Sequence, residues 1–150
     1  MFEYRVRVDD FKNTSIEETI EKAKVVLEAA IELNRLWLRK HPDQMCLLAC
    51  GKIEYAQECE FDLIPYSPIV TGWLIPQKRR LMCIDIVGLD VAIRRERGQC
   101  AEPDIYPLRD AGVFHVVTDV YKNGRKTRID PTQEIREHGR AVTDQPRCSC

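Results

Sequence analysis

The sequence predicts an α+β domain in which a buried helix packs on an antiparallel sheet. Three features of the 150-residue chain carry that expectation. The segment Met82–Arg97 holds two overlapping apolar stripes, Ile84–Val87–Val91 and Met82–Ile86–Leu89–Ile93. A helix apolar nearly all round belongs in the interior. The segment Val113–Tyr121 is rich in Val, Phe and Tyr, and Asn123-Gly124 after it is the strongest short-range hairpin signal, with Arg125–Ile129 as the return strand. Ahead of both, Ile16, Ile20, Leu27, Ile31 and Leu38 recur near helical spacing among Glu and Lys, which marks an amphipathic surface helix.

Each element has its own local signals. Met1–Val8 alternates charged and apolar residues, so it reads as a strand rather than as the continuous apolar segment of a signal peptide. Ser15 with Glu18 three residues on forms a capping box that starts the first helix. His41-Pro42 ends it at about Lys40, because the residue before a proline is pushed out of the helical region. Prolines 42, 65, 68 and 76 cut the next stretch into short pieces, with Lys52–Tyr55 and Phe61–Ile64 as candidate strands. Gly98 stops the buried helix, a loop containing Pro103 and Pro107 follows, and Asp130-Pro131 closes the hairpin. Residues 1–135 are expected to form one domain, and 136–150 a polar, cysteine-containing tail that frays unless something pins it.

Composition narrows the function classes. A hydrophobic fraction of 44% and a charged fraction of 31% are those of an ordinary globular protein. With 23 basic and 24 acidic residues the net charge is −1, which argues against a dedicated nucleic-acid binder. No apolar run approaches the length of a membrane-spanning helix. Seven cysteines without a secretion signal read first as reduced thiols, and the odd number leaves at least one outside any set of disulfides within the chain. Cys148-Ser149-Cys150 is spaced too closely for the usual zinc half-site, and neither a metal nor a cofactor is expected. The runs Lys78-Arg79-Arg80 and Arg94-Arg95-Glu96-Arg97 read as solvated faces.

The chemistry-bearing residues are Cys83, His115 and Asp130. Cys83 opens the buried helix, where unpaired N–H groups and the helix dipole favour an anion on sulfur. The same N–H groups suit an oxyanion formed during acyl transfer. A two-residue turn at Asn123-Gly124 pairs Lys122 with Arg125, sets Asp130 opposite Val117, and puts His115 two residues along on the same face. A carboxylate on the second strand then orients an imidazole on the first, which is the base-plus-orienter half of a nucleophilic triad. Taken singly, Cys83 reads as a small buried hydrophobe, His115 as a core histidine and Asp130 as a turn residue. Their coincidence is what points to chemistry.

That order, Cys at the start of a buried helix, then His on a strand, then Asp on the next, resembles the transglutaminase-like (papain-like Cys-His-Asp) superfamily. The stretch His115–Thr132 is similar to that family's His…hairpin…Asp-Pro-Thr block, and Asn34–Pro42 followed by Gly51–Tyr55 is similar to a subgroup encoded by tailed phages. The resemblance spans residues 30–132. Where the subgroup has Gly-Asp before the nucleophile and an acidic pair after it, this chain has Leu81-Met82-Cys83-Ile84-Asp85 and keeps the second acid. Gln77, six residues before Cys83, stands at the spacing papain-like enzymes use for an oxyanion donor.

The resemblance implies a triad suited to amide or thioester hydrolysis or acyl transfer, with peptide or isopeptide substrates. It implies association with a virion, or with the host cytoplasm during assembly. It also admits a non-catalytic head, neck or tail component that keeps a degenerate triad and is held in the particle by disulfides. Cys46, Cys50, Cys148 and Cys150 are the disulfide candidates, since such bridges persist outside the cell. On either version the partners are other virion subunits or a second copy of the chain, not nucleic acid and not a membrane.

Overall fold

A computed structural model describes residues 5–7, 15–56, 66–108 and 114–147. The first strand, β1 (Arg5–Arg7), pairs antiparallel with β3 (Tyr66–Pro68). Between them runs helix α1 (Ile16–Lys40), capped by Ser15, whose Oγ accepts the Glu18 N–H at 3.2 Å. Glu17 and Glu18 in its first turn and Arg39 and Lys40 in its last complement the helix dipole. Its inner face buries Ile20, Ala23, Leu27, Ile31, Trp37 and Leu38. The helix ends where the sequence places the stop: the His41 N–H turns back to the Trp37 and Leu38 carbonyls, and Pro42 opens a 3₁₀ turn over Pro42–Cys46.

The proline-cut stretch yields short pieces. Strand β2 (Glu54–Tyr55) lies inside the expected Lys52–Tyr55 and pairs in parallel with β4 (Arg80–Leu81), just after the one-turn helix α2 (Ile75–Lys78). The other candidate strand, Phe61–Ile64, lies outside the described residues.

Helix α3 (Cys83–Glu96) is the centre of the molecule. It buries Ile84, Ile86, Val87, Leu89, Val91, Ala92 and Ile93, and α1, the strands Cys100–Pro107 and Phe114–Lys122 and the later helix Pro131–His138 all pack against it. The sheet beneath it is antiparallel, in the order β5 (Cys100–Pro107), β6 (Phe114–Lys122), β7 (Arg125–Ile129). Asn123 and Gly124 both have positive φ (52° and 76°), the conformation a type I′ hairpin turn requires and glycine adopts freely. Lys122 pairs with Arg125 and Thr118 with Ile129, the register the turn predicts. The α+β expectation therefore holds.

One local expectation does not. The segment with Pro103 and Pro107 is strand β5, not a loop, and it pairs with β6 along its whole length. As an edge strand it needs ladder N–H groups only at alternate residues. Pro103 and Pro107 are four apart, so both missing donors fall on the same side of the strand, toward the open edge. The described part of the tail is pinned, the condition under which it is expected not to fray. Residues 131–138 form helix α4 (Pro131–His138), and the chain then folds back on the core. Buried Ala141 donates its N–H to the Leu48 carbonyl, and Glu134 accepts the Val142 and Thr143 N–H groups. No helix among the described residues is long and apolar enough to cross a membrane.

Candidate active site

The site forms where the first turn of α3 meets the β6–β7 hairpin. Met82 is the residue before the helix, and Cys83 is its first residue. Asp85, the third residue of α3 and fully buried, fixes this corner: its Oδ2 accepts the Met82 N–H at 3.0 Å and its Oδ1 accepts the Val70 N–H at 2.7 Å. Returning a side-chain acceptor to the N–H that precedes the helix is half of a capping box. Asp85 thus holds the backbone that presents Cys83.

His115 lies near the start of β6, and Asp130 directly follows β7. The register brings them together: His115 Nε2 donates to Asp130 Oδ2 at 2.8 Å, both side chains being partly shielded from solvent. The other oxygen, Oδ1, accepts the Gln133 N–H at 3.1 Å and caps α4, with Pro131 in the first helical position. The carboxylate is thereby aimed by a helix start as well as by the hairpin. Cys83 is within hydrogen-bonding reach of the same imidazole. With Nε2 committed to Asp130, Nδ1 is the ring nitrogen left for sulfur.

The electrostatics follow from this contact set. The hydrogen bond to Asp130, and next that to Cys83, outweigh burial and push the His115 pKa up to about 10. Burial works against the Asp130 carboxylate, but hydrogen bonds from His115 and from the Gln133 backbone hold its pKa below the ordinary value. The imidazole therefore carries a proton at neutral pH, bracketed by a carboxylate and a sulfur.

Three sequence-predicted residues, Cys83, His115 and Asp130, converge. Gln77 lies on α2, and its side chain is outside what the structure describes. Cys46 is buried and Cys50 half-buried just after α1, and each has an interaction partner. Cys148 and Cys150 lie outside the described residues, among which Cys83 and Cys100 are the free thiols.

Sequence reasoning missed the residues around His115. Tyr106 pairs with it across β5–β6, and Arg128 sits over the Tyr106 ring, held by Asp119 and Asp104. The available signal was alternation: Ala101, Pro103 and Ile105 interleave with Glu102, Asp104 and Tyr106, a strand pattern hidden by the two prolines. The charged run Arg94–Arg97 is not a solvated face. Arg94 is 1% exposed and paired with buried Asp90, while Arg95 and Glu96 bridge to Glu28, Arg35 and Arg39 on α1.

Comparison with protein-family models, with curated proteins and with solved structures finds no match. What the site can do is therefore a matter of its own chemistry.

Proposed function

We propose that this chain is a transglutaminase-like protein of the tailed-phage type, virion-associated, with a Cys83–His115–Asp130 triad for thiol acyl chemistry on amide or thioester substrates. The observation that carries the proposal is the placing of one imidazole, from β6, between a carboxylate that follows β7 and the sulfur that opens α3. Nucleophile, proton carrier and orienter in that order are what covalent acyl transfer needs.

In the proposed reaction the Cys83 sulfur attacks as the thiolate, its proton already on His115, and forms a C–S bond to the substrate carbonyl carbon while the π pair moves to oxygen. In this proposal the N–H groups at the start of α3 are the donors for the developing charge. As the intermediate collapses the C–N bond breaks, and the His115 imidazolium gives its proton to the departing amine. A thioester remains. Water or a second amine then attacks it, His115 takes the incoming proton, and the C–S bond breaks to restore the sulfur. Asp130 keeps Nε2–H engaged throughout, so the exchange runs through the other ring nitrogen.

A second version is favoured by two observations. Leu81 and Met82 stand where the resembled subgroup has Gly-Asp, and Leu81 is fully buried. Cys46 and Cys50 are engaged, and the tail leading to Cys148 and Cys150 is pinned down to Gln145. These support a structural virion component with an idle triad, in which Cys148 and Cys150, beyond the pinned segment, are the cysteines proposed to cross-link it to neighbouring subunits or to a second copy.

Mapping iodoacetamide-labelled cysteines by mass spectrometry, with and without prior reduction, separates the two. Rapid labelling of Cys83 without reductant, abolished by His115→Ala, supports a working triad. An unreactive Cys83, with Cys46, Cys50, Cys148 or Cys150 labelled only after reduction, supports the structural version.

A further inference from the structure

We infer that Tyr106 is a positioning residue for His115, its ring fixing the imidazole plane so that one nitrogen meets Asp130 while the other faces Cys83; this rests on the triad proposed above. Tyr106 and His115 are partners across the β5–β6 ladder, so their side chains leave the sheet on the same face. The rings meet edge to face, with centroids 5.7 Å apart and planes at 77°. That arrangement is the one ring quadrupoles favour.

A wall is needed at this point. The terminal torsion of histidine is broad and roughly two-fold, so a single hydrogen bond at Nε2 leaves the ring free to swing about it. A ring set across the imidazole removes that freedom. Tyr106 is in turn held from the next strand but one. The Arg128 guanidinium carbon lies 5.7 Å from its ring centroid, a cation–π contact. Arg128 is clamped by Asp119 at 3.0 Å and Asp104 at 2.5 Å. The acids raise the Arg128 pKa further, Asp119 most of all, so the clamp stays charged. Burial, and then the Asp130 charge, push the Tyr106 phenol upward, so it does not compete with His115 for a proton near neutrality. The groups facing the imidazole are thus Asp130 from beyond β7, Cys83 from α3 and Tyr106 from β5, with Asp104, Asp119 and Arg128 behind Tyr106.

The test compares Tyr106→Phe, Tyr106→Leu and Tyr106→Ala in the full chain. Three quantities are measured: the His115 titration by NMR, the pH profile of Cys83 alkylation by iodoacetamide, and the melting temperature. Phe keeps the ring and leaves titration and alkylation unchanged. Leu fills the space without a ring; it moves the His115 titration down toward 6.5 and slows Cys83 alkylation about threefold to tenfold, the worth of one aromatic pair. Ala does the same with a larger loss of melting temperature. The inference is overturned if the Leu variant titrates and alkylates as the wild type does, or if Phe is as defective as Leu. The triad itself fails by a different result, unchanged Cys83 alkylation in His115→Ala, and the NMR titration reads the Tyr106 effect without reference to Cys83.

Discussion

Asp130 divides its carboxylate between two tasks: Oδ2 accepts from His115 Nε2 at 2.8 Å, and Oδ1 accepts from the Gln133 N–H at 3.1 Å to start α4. The two tasks are separable because Asn caps a helix about as well as Asp but carries no charge. Asp130→Asn is expected to keep the cap while the His115 titration falls from about 10 toward 6.5, so that at neutral pH it loses only the stability of the charged pair. Asp130→Ala loses the cap as well, at about 1 kcal/mol. Urea unfolding paired with an NMR titration checks both. If Asn and Ala lower stability equally, the cap is not what Oδ1 contributes.

The raised His115 pKa has a definite consequence for stability. The folded state binds this proton more tightly than the unfolded chain does, so the contribution is complete below pH 6.5 and is lost as pH rises through about 10. The lowered Asp130 pKa acts with the opposite sign: its contribution is complete above 3.8 and is lost as pH falls through the lower folded value. The stability difference between wild type and His115→Gln should therefore be largest between 3.8 and 6.5 and shrink toward zero near pH 10. Urea midpoints for both proteins across that range decide it. A difference that stays constant with pH would show that the pair contributes packing and not charge.

How much of this was legible in the sequence depends on how local the signal is. Asn123-Gly124 sets φ, the turn sets register, and register alone brings Asp130 to His115; nothing long-range had to be guessed. The Ser15 cap and the Pro42 stop of α1 were readable for the same reason. Tyr106 was not, because its strand exists only by pairing with β6, and its two prolines are the usual mark of a loop. Nor was the burial of Arg94. A run of four charges gives no hint that one member turns inward to Asp90 while its neighbours reach out to α1.

That inward pair anchors the tail. Arg94 donates to Asp90 at 3.0 Å and to the Thr143 carbonyl at 2.8 Å, while Asp90 also accepts from Thr118 and Gln145. Arg94 and Asp90 are both at most 1% exposed. Removing one partner strands a buried charge, which typically costs about 3–5 kcal/mol. Arg94→Met is expected to lower stability by an amount of that order and to raise amide exchange at Val142 and Thr143. Replacing both partners, as Asp90→Leu with Arg94→Met, recovers part of the loss because no lone charge remains. If the single variant unfolds no more easily than the wild type, the pair is not what holds the tail.

The close approach of Gly72 to Trp37 yields the sharpest packing prediction. A methyl group on Gly72 would fall 2.3 Å from Cδ2 of the indole, well inside contact distance. Trp37 is only 4% exposed, and its ring is 5.5 Å from His41 on one side, so it has little room to retreat. The Gly72 N–H also donates to the buried Asn34 Oδ1 at 2.6 Å, which ties this backbone to α1 and resists its shifting away. Gly72→Ala is therefore expected to destabilise by about 1–3 kcal/mol, the ordinary cost of overpacking a core. Trp37→Leu alone should also destabilise, by opening a cavity. The double variant should be less destabilised than the two losses added together, because the smaller side chain leaves space for the new methyl. A double-mutant cycle by urea unfolding measures that coupling, and strict additivity would mean that Gly72 and Trp37 do not press on one another.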